Sequence, residues 1–255
     1  MNLNYGGLFH YIEVQGLGET WNTVIFIAML IGMIAIAYLL GSINSAIIIS
    51  KTIYRDDIRK HGSGNPGLTN MLRTYGMKAA GLTLLGDLLK TALAVFIAGV
   101  FFGFFYFAGI SGGDGMCYVA GMFAVIGHIA PVYYKFKGGK GVLSTAVVVL
   151  ILAPIPFLIL ITMFVIIVAI SKYVSLGSVV AAISYPIVLH GYFQVAKVFG
   201  EIGTPALASL SAILIAILIV YCHRENLKRI SEKTERKISF KKKPKTDEAE
   251  NEVES

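Results

Sequence analysis

The chain has 255 residues, of which 56% are hydrophobic and 15% are charged, and its formal net charge is +7 at pH 7. A soluble domain typically has about 25% charged residues, so the composition excludes an ordinary soluble protein and indicates an all-α integral membrane protein. The two cysteines, Cys117 and Cys222, lie far apart in apolar segments, and they provide neither a disulfide framework nor the spacing of a metal site.

Long runs without charge predict the membrane spans, because a helix needs roughly 20 apolar residues to cross a bilayer. The segment from Val142 to Ile170 is longer than one span and contains Pro154 and Pro156. It predicts either two shortened helices that meet at the prolines or one kinked helix. In chain order, the other predicted spans cover approximately residues 22–50, 79–108, 116–134, 176–196 and 205–222. The second of these contains two charges. Two helices in the proline-containing segment bring the total to seven.

The distribution of charge between the linkers predicts the orientation. Basic residues are concentrated in alternate linkers and in the tail, whereas the linkers 109–115 and 153–157 hold one charge, Asp114, and the linker 197–204 holds Lys197 and Glu201. Positive residues stay on the cytoplasmic side of a membrane. The N-terminus is therefore expected outside and the C-terminus in the cytoplasm, which requires an odd number of spans and favours seven.

The chain is expected to form one transmembrane domain over residues 1–230. Residues 231–255 mix positive and negative runs without an apolar face. We expect this tail to be disordered on the cytoplasmic side and to contact anionic lipid.

Four polar patches fall on the predicted cytoplasmic side, each at the end of a helix. Because they come from distant parts of the chain, they suggest one shared site. They read DDIRKHGSGNPGLTNMLRTYG (56–76), GHIAPVYYKFKGGKG (127–141), SLGS (175–178) and HRENLKR (223–229).

The chemistry of these patches indicates a phosphate ligand. Glycines let a backbone approach a ligand closely, and successive N–H groups at a helix N-terminus bind anions. The GGKG sequence ends where an apolar helix starts and carries Lys140, while the GSGN sequence supplies the Ser63 hydroxyl and the Asn65 amide. Arg73 offers a planar guanidinium suited to a bidentate phosphate contact. The full P-loop pattern is absent.

Several polar residues leave two interpretations open. Asp87 and Lys90 are three apart inside a predicted span, where charges are functional candidates, yet they could equally pair with each other. Asp57 and Arg59 could form a local ion pair. His128, near a helix end, is interpreted as structural.

His223 and Asn226 are three residues apart and share one face of a helix that leaves the membrane at the same surface as the polar patches. We interpret this pair as functional.

The blocks LLGSINSAIIISK, DIRKHGSGNPGLTNMLRTYG, GHIAPVYYKFKGGKGV, SLGS and HRENLKRI, in this order, resemble the bacterial acyl-phosphate:glycerol-3-phosphate acyltransferase family, PlsY. The resemblance runs from about Tyr38 to Ile230 and omits the first 20 residues. It implies a seven-span protein of the cell inner (plasma) membrane with a cytoplasmic active site. The implied reaction moves a fatty acyl group from acyl phosphate to the 1-position of sn-glycerol 3-phosphate, giving lysophosphatidic acid and phosphate.

The resemblance also implies roles for individual residues. Ser63, Arg73, Lys140 and His223 are expected to be catalytic. Gly138, Gly139 and Gly141 are expected to wrap the phosphoryl oxygens with their backbone. The complete set of expected substrate contacts is Ser63, Asn65, Thr69, Asn70, Arg73, Gly138, Gly139, Lys140, Gly141, Ser178, His223 and Asn226.

Three positions depart from the family pattern, and the first two affect local loop geometry. Asn44 stands where the family often has Pro, and Pro66 in GNPG removes one possible amide donor. In addition, ISEKTE follows the last motif where the family usually continues into a Gly and a Glu. No cofactor or metal is expected, because the sequence has no carboxylate cluster. The expected partners are acyl phosphate, glycerol 3-phosphate and membrane lipid, with the soluble enzyme that makes acyl phosphate as a further candidate. Nothing resembles a nucleic-acid module.

The proton acceptor remains open between two groups. None of the five His residues is followed by Asp five positions later, so a His-Asp base is absent. Acyl phosphate is a mixed anhydride with a good leaving group, which favours a substrate-assisted reaction in which a substrate phosphate oxygen takes the proton. His223 as general base is the second hypothesis, and Ser63 as a covalent acyl carrier is less favoured. An organic-phosphate transporter is the competing class of protein, although the sequence lacks the internal repeat expected of one.

Overall fold

The computed structural model describes residue 8 and residues 18–102, 115–198 and 205–238, and this part of the chain is helical. Two short 3-10 helices cover Ile58–Lys60 and Val132–Tyr134. The predicted end of the second span, after residue 102, and the linkers 109–115 and 197–204 fall wholly or mostly outside the described residues. The α-helices are α1 (Glu19–Ser42), α2 (Ser45–Thr52), α3 (Leu68–Tyr75), α4 (Met77–Phe102), α5 (Gly115–Ile129), α6 (Val142–Leu152), α7 (Pro154–Ser171), α8 (Val174–Val198), α9 (Pro205–Cys222) and α10 (Arg224–Ser231).

Six segments of the described chain are long and apolar enough to cross a bilayer: α1, α4, the segment Gly115–Tyr134, α7, α8 and α9. The helix α6 is also apolar but has only 11 residues. It meets α7 at Ala153, because Pro154 takes the first position of α7, where a missing N–H costs no hydrogen bond. The two-helix interpretation of the proline-containing segment is therefore confirmed.

The prediction of one continuous first span over residues 22–50 is wrong, because the helix is interrupted between α1 and α2. Ile43 is extended, and the Asn44 side chain caps α2 by accepting a hydrogen bond from the Ile47 N–H at 3.0 Å. The Asn44 amide also donates to the carbonyl of Pro66 at 3.3 Å. Hydropathy missed this break because a capping side chain interrupts a helix without any change of hydrophobicity.

The central helix is α5, which packs against α1, α4, α6 and α9, while α8 packs between α7 and α9. Small residues bring α1 and α5 close together. A Cβ on Gly41 would lie 2.1 Å from the Ala124 carbonyl oxygen, and a Cβ on Gly127 would lie 2.3 Å from the Tyr38 carbonyl oxygen. Such small-residue contacts are typical of helix packing in membranes, and they fix the end of α1 beside the polar loops.

Candidate active site

A cavity of about 650 Å³ lies where the polar loops meet the helix bundle. Its wall is formed by the loop before α3, by α3, by Asp87 of α4 and His128 of α5, and by α6, α7, α8, α9 and the segment that follows α9. Of the predicted site residues, Gly138 and Gly139 do not line it. The others do: Ser63, Asn65, Thr69, Asn70, Arg73, Lys140, Gly141, Ser178, His223 and Asn226.

The loop that carries Ser63 is held in shape by the side chain of Asn70. The Asn70 Oδ1 accepts the Ser63 N–H at 3.1 Å, and its Nδ2 donates to the carbonyl of His61 at 3.0 Å. Gly62 has φ +59°, and a Cβ there would lie 2.1 Å from the Asn70 Oδ1. Asn70 was expected to contact the substrate; it lines the cavity, and its side-chain amide is engaged with the loop.

Arg73 and Thr69 are four residues apart on α3 and both line the cavity, so they lie on one face of that helix. Both residues are exposed. The helix begins after Gly67, and residues of its first turn also form part of the cavity wall. This face therefore presents a guanidinium and a helix N-terminus to one ligand.

The GGKG sequence has two structural parts. The N–H groups of Gly138 and Gly139 donate to the carbonyls of Ile129 and His128 at 3.1 and 3.0 Å, and a Cβ on Gly139 would lie 2.1 Å from the His128 Nε2. The expectation that these two glycines wrap a phosphoryl group with their amides is therefore corrected. Their N–H groups bind carbonyls at the end of α5 and hold the loop against that helix. Gly141, with φ +78°, precedes α6 and lines the cavity as expected.

A hydrogen-bonded network crosses the cavity wall. The Lys140 Nζ donates to the Asn226 Oδ1, and the Asn226 Nδ2 donates to the Ser175 Oγ at 3.0 Å and to the Glu235 carboxylate at 2.7 Å. Ser175 and Arg229 also donate to Glu235, at 2.5 and 2.8 Å. Burial opposes ionisation of this carboxyl, but the bonds from Ser175, Asn226 and Arg229 lower the pKa of Glu235 overall. Burial lowers the pKa of Lys140, and the nearby Glu235 opposes that effect.

The sequence analysis missed Ser175, Arg229 and Glu235 as site residues. Glu235 lies in the segment that was expected to be disordered, and that expectation is corrected for residues 231–238, since the Ile238 N–H also donates to the Lys172 carbonyl at 2.8 Å. Residues 239–255 lie outside the described residues. Lys233 has φ +57°, a left-handed conformation that glycine adopts freely and that a lysine adopts at a conformational cost.

His223 presents one ring nitrogen to the cavity. It is buried, and its Nδ1–H donates to the Ile219 carbonyl at 2.8 Å, which leaves Nε2 as a hydrogen-bond acceptor. Burial lowers the pKa of His223 to about 4, and the hydrogen bond to the Ile219 carbonyl raises it by a smaller amount. The imidazole is therefore neutral near pH 7.

The cavity has an electropositive end. Four cationic side chains line the cavity, together with two carboxylates, Asp87 and Glu235, of which Glu235 is paired with Arg229; the cations are Lys140, Arg73, Arg229 and Arg236. Residues at the N-termini of α3, α6, α8 and α10 also form part of its wall. A helix N-terminus carries unpaired N–H groups and the positive end of the helix dipole. Four such ends and four cationic side chains make this part of the cavity suited to anionic groups.

The intramembrane charges form a buried cluster at the cavity wall, where Asp87 and His128 line the cavity. The Lys90 Nζ lies 2.9 Å from both the Asp87 Oδ1 and the His128 Nδ1, and it donates to the carbonyls of Gly41 and Ile43 at 3.1 and 2.6 Å. The interpretation that Asp87 and Lys90 pair with each other is confirmed, and the lysine satisfies carbonyls left free at the end of α1.

The ion pair of Asp57 with Arg59 is also confirmed, with a closest approach of 2.6 Å. It hydrogen-bonds within its own loop, and neither residue lines the cavity. In the described part of the chain, no three His, Cys, Asp or Glu side chains come together as a metal site.

The cavity continues from its polar end between α6, α7, α8 and α9 as a chamber with apolar walls. Sequence patterns did not identify these residues, because positions that face the chamber and positions that face lipid are both apolar and hydropathy does not distinguish them. The chamber is lined by Val142, Ala146, Val149, Phe157, Leu160, Ile161, Phe164, Ala181, Ala182, Tyr185 and Ile219.

Residues 31–233 of the chain match a family model described as "Glycerol-3-phosphate acyltransferase". The glycerol-3-phosphate acyltransferase of Bacillus subtilis is 38% identical over 211 residues, which cover 82% of this chain and 97% of the relative. That of Alkaliphilus metalliredigens is 39% identical over 205 residues, which cover 80% and 94%.

Two solved structures are also similar. The crystal structure of PlsY (YgiH), an integral membrane glycerol 3-phosphate acyltransferase, in its glycerol 3-phosphate form has a TM-score of 0.69 and 34% identity, covering 82% of this chain and 96% of that one. The lysophosphatidic acid form has a TM-score of 0.67 and 33% identity, covering 82% and 95%.

Proposed function

The chain belongs to the glycerol-3-phosphate acyltransferase family, PlsY, and we propose that it transfers a fatty acyl group from acyl phosphate to the 1-position of sn-glycerol 3-phosphate. The products are lysophosphatidic acid and phosphate. The observation that carries this proposal is the lining of one cavity shared by ten of the predicted residues, which has an electropositive part and an apolar part. An acceptor with a phosphate and a donor with both a phosphate and a hydrocarbon chain fit such a cavity.

The electropositive end holds the two anionic groups. Arg73 offers paired donors to one phosphate, and the N-terminus of α3 lies beside it. Lys140 and Gly141, at the start of α6, serve the other phosphate. Asn226 orients Lys140 through the direct hydrogen bond between them. Holding both substrates in one geometry supplies several kcal/mol of the barrier, about 7–11 kcal/mol at the upper limit for ideal positioning.

The reaction itself is an acyl substitution. The acceptor hydroxyl oxygen bonds to the acyl carbonyl carbon, the bond from that carbon to the phosphate oxygen breaks, and phosphate leaves with the electron pair. Cationic groups and N–H donors stabilise the charge that develops on the carbonyl oxygen and on the leaving phosphate.

The proton of the hydroxyl goes to a substrate phosphate oxygen, directly or through water. His223 orients the hydroxyl by accepting its hydrogen bond at Nε2. A pKa of about 4 makes this imidazole a weak base in the free protein, which supports the substrate-assisted reaction over His223 as general base. Ser63 is exposed, and its N–H is bound to Asn70. No base activates its hydroxyl among the described residues, which disfavours a covalent role.

We further propose a seven-span topology in the cell inner (plasma) membrane. The proposal counts the shorter apolar helix α6, of 11 residues, as a seventh span beside the six candidate spans. With the basic linkers on the cytoplasmic side, the N-terminus lies outside and the active site faces the cytoplasm. A soluble enzyme that makes acyl phosphate could then deliver its product to this face.

The proposal is tested by acyl transfer with purified protein in lipid. Palmitoyl phosphate, palmitoyl-CoA and palmitoyl acyl carrier protein are each supplied with glycerol 3-phosphate. Lys140→Ala is compared with Lys137→Ala, a matched control on the exposed side of the same loop. We expect lysophosphatidic acid from palmitoyl phosphate alone, lost in Lys140→Ala and kept in Lys137→Ala. Product from a thioester would refute the donor assignment. No product from any donor, with phosphate transported across the membrane, would favour a transporter.

A further inference from the structure

The residues that line the cavity end at a definite depth on three helices. They run from Val142 to Val149 on α6, from Phe164 to Phe157 on α7 and from Val174 to Tyr185 on α8. The first two runs are eight residues long, a rise of about 10 Å at 1.5 Å per residue, and the third is twelve residues long, a rise of about 16 Å. The hydrocarbon core of a bilayer is about 30 Å thick, so the chamber does not cross it.

Tyr185 stands at this closed end. It is the deepest residue of α8 that lines the cavity, and it is 1% exposed. The next residue on the same face, Leu189, is fully buried and packs in the same core cluster as Tyr185 and Tyr118. The Tyr185 ring therefore separates the chamber from the solid core behind it.

The Tyr185 hydroxyl is buried without a hydrogen-bond partner among the described residues. A buried polar group without a partner normally lowers stability, so the hydroxyl does not explain why a tyrosine stands here. The feature with a consequence for the chamber is the size of the ring, because a smaller side chain would extend the chamber toward the core.

We propose that Tyr185 sets the longest acyl chain that the chamber accepts. The inference deepens the proposed function and rests on it, since the occupant is the hydrocarbon chain of the acyl donor. A chain that reaches the ring must bend or leave its last methylenes outside the chamber. Removing the ring lets the chamber accommodate these methylenes, so a long chain no longer has to bend and its kcat/KM rises relative to that of a short chain.

The test compares octanoyl, decanoyl, dodecanoyl and hexadecanoyl phosphate as donors, with glycerol 3-phosphate as acceptor. The readout is the ratio of kcat/KM for hexadecanoyl phosphate to that for octanoyl phosphate, which is short enough to fit below the ring. In Tyr185→Ala we expect this ratio to rise about tenfold or more. In Tyr185→Phe, which keeps the ring and removes the unpaired hydroxyl, we expect the wild-type ratio.

Two further variants keep the test decisive. Leu189→Ala makes a cavity behind the intact ring and should lower stability while leaving the ratio unchanged. Ala182→Leu lies one turn nearer the polar end, fills the chamber and should lower the ratio. If Tyr185→Ala does not fold, this variant tests whether the depth of the chamber sets the chain-length preference.

A wild-type ratio in both Tyr185→Ala and Ala182→Leu would overturn the assignment to Tyr185. A shifted ratio in Tyr185→Phe would show that the hydroxyl, not the ring, selects the chain, and would overturn it as well. No product from the wild type with any donor would overturn the proposed function and this inference together, whereas product without a shift overturns the inference alone.

Discussion

Glu235 is the residue whose replacement tests the site network most directly. In Glu235→Gln the carboxylate loses its charge, and the buried hydrogen bonds from Ser175 and Asn226 become bonds to a neutral acceptor. Bonds to charged groups contribute about 1.5–3 kcal/mol and neutral ones about 0.5–1.5 kcal/mol, so two bonds lose about 2 kcal/mol. The Arg229 side chain is 41% exposed, so its ion pair adds less than about 1 kcal/mol.

We therefore expect Glu235→Gln to lower the free energy of unfolding by about 2–3 kcal/mol. If the network positions Lys140 in the transition state, kcat/KM falls by up to about 30-fold, since 1.36 kcal/mol is a factor of ten. The assays are thermal unfolding in detergent and acyl transfer at varied glycerol 3-phosphate. The matched control is Glu232→Gln, because Glu232 is 53% exposed and its Lys228 pair is 4.0 Å apart. Equal losses in both variants would refute the reasoning.

Three further predictions concern single residues. The folded-state pKa of His223, about 4, lies below the ordinary 6.5, so its stabilising contribution is complete above pH 6.5 and declines as the pH falls towards 4. Thermal midpoints measured across this range should vary less in His223→Gln, and an unchanged pH dependence would contradict the shift. Gly41→Ala should lower the free energy of unfolding by about 1–3 kcal/mol, because the new Cβ would meet the Ala124 carbonyl. Gly81→Ala should raise it by about 0.5–1 kcal/mol, because a Cβ at Gly81 has nothing within 4 Å. Denaturation of both variants checks the sign of each change. Lys233→Gly should gain up to about 1 kcal/mol by removing left-handed strain, and a lower thermal midpoint than the wild type would contradict this.

The sequence predicted the parts of the fold that depend on hydropathy. The break between α6 and α7 was predictable because Pro154 acts locally. The break at Asn44 was not, because it depends on a cap and on two distant partners: the Asn44 amide binds the carbonyl of Pro66, and Lys90 of α4 binds the carbonyl of Ile43. Hydropathy carries no information about such contacts.

The site was predicted best where a residue type has one chemical use. Arg73, Lys140 and His223 line the cavity as expected. Gly138 and Asn70 were expected to contact substrate, but a glycine or an amide can serve backbone structure equally well, and sequence alone does not distinguish the two uses.

Glu235 was missed for a different reason. A charged residue among other charges has no pattern that marks it, and only the folded chain shows that it meets Ser175 from 60 residues away.

The pairing of Asp87 with Lys90 has a consequence for biogenesis. Both charges lie on α4, one turn apart, so they neutralise each other within a single helix before any other helix is present. A lone charge at the centre of a membrane helix raises the insertion free energy by about 2.5–3.5 kcal/mol. We expect the paired helix to enter the bilayer from the translocon more readily than either single-charge variant. The helix α1 is synthesised before α4, so the carbonyls of Gly41 and Ile43 at its end are already present when α4 inserts. Lys90 can then donate hydrogen bonds to them and connect the two helices.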